Sequence, residues 1–197
     1  MRFVGDSMKS SRLGFAIVAS LALNPIFAAS AMTCEDFKQR LVEEIHEGGD
    51  RVALPTGYRF GRKHEGDPVI RYDLDGVVGL QGSIDCLEGG SFAEIDIEAQ
   101  ISADDTIAEN LQRIIGLTAL GAAALCVVES MPPAKCQSTI DEMYVKAASQ
   151  FAAAKKLGHR WPGGSEMRYF GDANGSQAIV MVVPGNVAVS VAPPPAP

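Results

Sequence analysis

Ile114-Ile115-Gly116-Leu117-Thr118-Ala119-Leu120-Gly121-Ala122-Ala123-Ala124-Leu125-Cys126-Val127-Val128 reads as a helix that is apolar on every side. The run spans 15 residues between Arg113 and Glu129, short of the roughly 20 that cross a bilayer. A helix apolar all round is otherwise a buried one, so the run predicts the central helix of a soluble domain. The small residues Gly116, Ala119, Gly121 and Ala122 would let a neighbouring helix approach closely.

Upstream, Ser102 is the expected N-cap, with Asp105 in the capping-box position. Ile107, Leu111, Ile114 and Ile115 give the helix an amphipathic start. Downstream, Met131-Pro132-Pro133 ends the helix and supplies a proline for the first turn of the next. That helix carries Cys136, Ile140, Met143, Tyr144, Ala147, Phe151 and Ala154 at three- and four-residue steps, and Gly158 closes it. Cys126 lies about one turn before the bend and Cys136 about one turn after it. An antiparallel hairpin sets them opposite each other and predicts a Cys126–Cys136 disulfide.

The segment before the hairpin predicts one helix and a run of strands. Thr33 caps a helix from Cys34 to Glu47, with Glu35 and Asp36 at its positive end and Phe37, Leu41, Val42 and Ile45 on one face. Gly48-Gly49 stops it. Strands follow at Tyr58–Lys63, Val69–Asp75, Val78–Cys86 and Phe92–Ile101, with His64 in a turn. The last alternates strictly, Ala93, Ile95, Ile97, Ala99 and Ile101 inward and Glu94, Asp96, Glu98 and Gln100 outward, which predicts an antiparallel sheet with one wet face. Short linkers make it a meander. Cys86 shares the buried face with Leu80 and Ile84, while Cys34 lies on the apolar face of the first helix, so a Cys34–Cys86 disulfide is expected. After the hairpin, Glu166–Gly171 and Ser176–Val183 form a β-hairpin around Asn174-Gly175. Ile179 to Val183 suits a strand covered on both sides or central in the sheet, and Val187–Val191 is a short last strand. The class is α+β: an antiparallel sheet of about six strands packed on one face by three helices, including the disulfide-stapled helical hairpin.

Composition places the chain in a compartment. Lys9 and Arg12 precede the apolar stretch Leu13–Phe27, and Ala29-Ser30-Ala31 is a small-residue cleavage site, so residues 1–31 read as a cleaved signal peptide. Residues 32–191 form a single domain, and 192–197 a Pro-rich disordered tail. An even set of four cysteines fits an exported protein in the periplasm or secreted. Lipidation of Cys34 is the competing reading, against which stand the unusual Ala31-Met32-Thr33 before it and the three cysteines it would leave unbalanced. The formal charge of −7 becomes −9 without residues 1–31, because three basic residues and one acidic one are lost. Such a chain is a poor nucleic-acid binder.

The catalytic signatures are missing from the sequence. There is no Gly-x-Ser-x-Gly, His-Glu-x-x-His, phosphate loop or dinucleotide fingerprint. His46, His64 and His159 are scattered, and no catalytic residue, metal site or cofactor is expected. Glu94, Asp96 and Glu98 share a strand face, but successive members lie about 6.5–7 Å apart, which suits a solvated face with Arg71 or Arg59 as cross-strand partners better than a cation site. Arg59 and Arg62, with Arg160 and Trp161, would form a small basic-aromatic patch if their two connections meet at one sheet edge. The leading expectation is a non-enzymatic binding protein of a Gram-negative envelope, with an envelope protein or small ligand as its partner. The alternatives are a periplasmic hydrolase or an inhibitor of one, and an envelope component that self-associates through an edge such as Val187–Val191.

Overall fold

The computed structural model describes residues 32–47, 59–66, 69–75, 79–156, 164–171 and 176–193. All of them belong to the compact unit Ala31–Pro197. Of the expected tail at 192–197, Ala192 belongs to the last strand, and 194–197 lie outside the described residues, as do the stops at Gly48-Gly49 and Gly158.

Helix α1 (Cys34–Glu47) has the bounds expected from its sequence. Thr33 accepts at Oγ1 from the Asp36 N–H at 3.1 Å, and its carbonyl accepts from the Phe37 N–H at 3.0 Å. Cys34, Phe37 and Leu41 are buried. Phe37 stacks on Phe92 with ring centroids 3.7 Å apart. Lys38 pairs with Glu35 and lays its ammonium 4.2 Å from the Tyr72 ring centroid, so the helix meets the sheet through aromatic faces. The residues before it are clipped to the sheet: the Phe92 N–H donates to Met32 O and the Cys34 N–H to Gly90 O.

The sheet has seven strands: β1 (Arg59–Gly66), β2 (Val69–Asp75), β3 (Leu80–Leu87), β4 (Phe92–Gln100), β5 (Ser165–Phe170), β6 (Gln177–Val183) and β7 (Asn186–Ala192). Their order is β1-β2-β3-β4-β7-β6-β5, every neighbour antiparallel. The first four form the expected meander. β1 runs on through His64 to Gly66, because Gly66 pairs with Val69 and the ladder leaves only 67–68 for the turn. β7 is interior, between β4 and β6, so the expectation that Val187–Val191 offers a free edge is overturned. β6 lies inside the sheet, between β7 and β5, which is the second of its two expected placements, and it alternates: Ala178, Val180 and Val182 are buried, Ile179, Met181 and Val183 half-buried. β4 departs from strict alternation at its start. Phe92, not Ala93, faces the core, because a register shift beside Cys86 offsets the ladder.

Helices α2 (Ile107–Glu129) and α3 (Pro133–Lys156) form the expected hairpin. The cap of α2 is Thr106 rather than Ser102: Thr106 and Glu109 make a complete capping box. The sequence holds two consecutive boxes, 102–105 and 106–109, and tertiary contacts choose between them. Arg113 binds Asp105 at 2.5 Å and the Gln100 carbonyl at 2.9 Å, while Asn110 brackets the Ser102 backbone from both sides. Ser102 and Asp105 are thereby held in the preceding turn. At the other end Ser130 adopts φ 53° and donates to the Cys126 carbonyl.

Both expected disulfides are present, Cys34–Cys86 with Cα atoms 5.8 Å apart and Cys126–Cys136 at 5.7 Å. Each is buried in the one core that joins the three helices to the sheet. Among the described residues α2 alone is long and apolar enough to cross a membrane, and 56% of its most apolar window is buried in the fold. Its small residues serve a strand as well as a helix. A Cβ on Gly121 would lie 2.7 Å from Val189 Cγ1 of β7, so glycine sets how closely α2 lies on the sheet.

Candidate interaction surface

Because all three helices pack on one face, the side chains that alternate away from the core form a second face of the sheet. The ladder defines its rows. One row crosses six strands: Asp73, Ser83, Asp96, Ser190, Ile179 and Arg168 stand in successive register. The next contains Arg71, Asp85 and Glu94. On the other side of Asp96, Gln81, Glu98, Ala188, Met181 and Glu166 line up. The face is therefore divided. Its β3–β4 half is acidic, and its β6–β7 half presents Ile179, Met181, Val183 and Ala188.

The acidic half is partly neutralised from within. Arg71 binds Asp85 with two hydrogen bonds, Nε to Oδ1 at 2.7 Å and Nη2 to Oδ2 at 2.6 Å. This planar two-point pairing is the geometry that guanidinium and carboxylate favour. The bond to Asp85 holds the Arg71 proton more tightly than usual. Ser190 donates to Glu94, and Asn186 Nδ2 donates to Glu98 Oε2 at 2.6 Å. Asp96 lies at the centre. Burial first, and then the charge of Glu94, push its carboxyl above the usual range, while Ser190 and Arg71 oppose the shift. Arg71, expected opposite the β4 carboxylates, is instead taken by Asp85 of β3. Among the described residues no group of three His, Cys, Asp or Glu side chains is placed to hold a metal ion.

Asp85 and Ser190 were not singled out from the sequence. Asp85 was within reach of sequence reasoning, since β2 and β3 form a hairpin whose register sets Arg71 against it. Ser190 was not, because its place beside Asp96 depends on the β4–β7 pairing between segments 94 residues apart in number.

The expected basic-aromatic patch has a different footing. Arg59 lies in β1 opposite Asp75, and Arg62 falls in the register shift between Phe60 and Lys63. Arg160 and Trp161 lie outside the described residues. The strands these pairs flank, β1 and β5, are opposite edges of the sheet, about 29 Å apart at about 4.8 Å per strand spacing.

No family model, curated protein or solved structure matches the chain. The surface therefore has to be read from its own chemistry.

A second exposed feature lies on α2. Ile107, Leu111 and Ile115 are 87%, 53% and 48% exposed. Their four-residue spacing places them on one ridge. The sequence predicts this ridge as a core face, and the structure reverses that for the first two turns. The same face is buried from Thr118 onward, so the described elements cover only its second half.

Proposed function

We propose that the protein is an exported, disulfide-stabilised interaction protein that engages its partner through the helix-free face of the sheet. Two disulfides fit an oxidising compartment, and the signal-like residues 1–31 suit the periplasm or secretion. The observation that carries the reading is the composition of that face. A half-buried Asp96, crowded by Glu94 and only partly relieved by Ser190 and Arg71, shares this face with Ile179, Met181 and Ala188, so one surface offers both negative charge and apolar area. A partner with a cationic group set in an apolar surround would relieve Asp96 and cover the β6–β7 half together.

Site-specific photo-cross-linking in producing cells tests this. A cross-linker at Ser190 or Met181 should trap one discrete partner. The same group at Val145, exposed on α3, should not. Equal yields at all three positions, or none at Ser190 and Met181, would refute the face as the docking surface.

A further inference from the structure

We infer that the β5 edge pairs with the β5 edge of a second copy of this chain, antiparallel, about a two-fold axis through Met167. This stands apart from the partner reading above, since pairing at the edge leaves the helix-free face uncovered.

The two edges of the sheet differ. An edge strand leaves one row of backbone N–H and C=O groups unpaired, and proteins blunt such rows with bulges and charges. The β1 ladder is interrupted between Phe60 and Lys63. The β5 ladder is not: six consecutive pairs run in register from Ser165↔Val182 to Phe170↔Gln177. Among the described residues no strand lies beyond β5. Its start is also anchored, because the buried Ser165 hydroxyl donates to Gln150 of α3 at 3.1 Å.

The charges on β5 select the partner. Glu166 and Arg168 are exposed, two residues apart on one face, and ion-paired to each other at 2.5 Å. A strand with opposite charges at i and i+2 complements itself when turned about the residue between them. The axis through Met167 sets Glu166 opposite Arg168 of the second copy, and Arg168 opposite its Glu166, giving two favourable cross-strand pairs. The same operation on β1 about Arg62 or Lys63 sets that cationic residue against its own copy, a like-charge opposition that disfavours it. An edge of six residues is smaller than the roughly 800 Å² per partner of a standard interface, so the dimer is reversible and grows with concentration.

Sedimentation velocity on the exported, oxidised protein over a wide concentration range is the test. A concentration-dependent dimer is expected. Arg168→Glu and Glu166→Arg should each weaken it by about tenfold or more, because each variant places like charges opposite one another twice. The double variant Glu166→Arg/Arg168→Glu should restore it. Both side chains are exposed, and that restoration separates a lost interface from a damaged fold. A monomer at every concentration would overturn the inference. So would a dimer indifferent to these variants, including one abolished instead by Leu111→Lys on the α2 ridge.

Discussion

The two disulfides close loops of very different length, and this difference should appear in stability. Cys126 and Cys136 are separated by 10 positions, Cys34 and Cys86 by 52. In the chain-entropy treatment the first restrains the unfolded chain by about 2.7 kcal/mol and the second by about 4.1 kcal/mol. All four cysteines are buried, so replacing either pair by alanine leaves comparable small voids, and the difference of about 1.4 kcal/mol belongs to the loops. The perturbations are Cys126→Ala/Cys136→Ala and Cys34→Ala/Cys86→Ala. Urea unfolding followed by circular dichroism at the helix band is the assay. With a slope of about 2 kcal/mol/M, the midpoint should fall by about 1.3 M for the hairpin pair and about 2 M for the long-range pair, with little change in slope. Equal losses, or a larger loss for Cys126–Cys136, would refute the chain-entropy reasoning. That result would mean the unfolded chain already holds the Cys34–Cys86 loop partly closed.

Three further outcomes follow from particular contacts. Thr106→Ala should lower stability by about 1 kcal/mol through loss of the α2 cap, and Ser102→Ala by less; equal effects in thermal melts would contradict the assignment of the cap. Asp96→Asn should stabilise the protein near neutral pH. The folded state holds the Asp96 proton more tightly than the unfolded state, so its ionisation weakens folding as pH rises through the folded pKa. The gain should shrink on acidification through that pKa, and a gain independent of pH would contradict it. Gly121→Ala should lower stability by about 1–3 kcal/mol through overpacking against Val189, and Gly121→Ala combined with Val189→Ala should recover part of the loss in denaturant titrations.

The bounds of α1, the strand parity that put Cys86 and Ile84 on the inner face, and both cysteine pairings were legible before any coordinates. Each rests on periodicity or on residues near a bend, where local geometry fixes which way a side chain points. The candidate site was much less legible. The acidic residues of β4 were placed on the outer face by their alternation, yet their partners were not, because a partner depends on register and strand order.

Local periodicity was enough to turn Leu80, Ile84 and Cys86 of β3 inward, to reverse the chain at Pro132-Pro133 and to pair the four cysteines. Contacts between distant segments place β7 inside the sheet and β5 at its edge, make Thr106 rather than Ser102 the cap of α2, and leave Ile107, Leu111 and Ile115 facing outward. The difference is one of range. An apolar stripe states that a face can be buried, but whether it is buried depends on elements dozens of residues away, and on which surfaces the assembled layers leave uncovered.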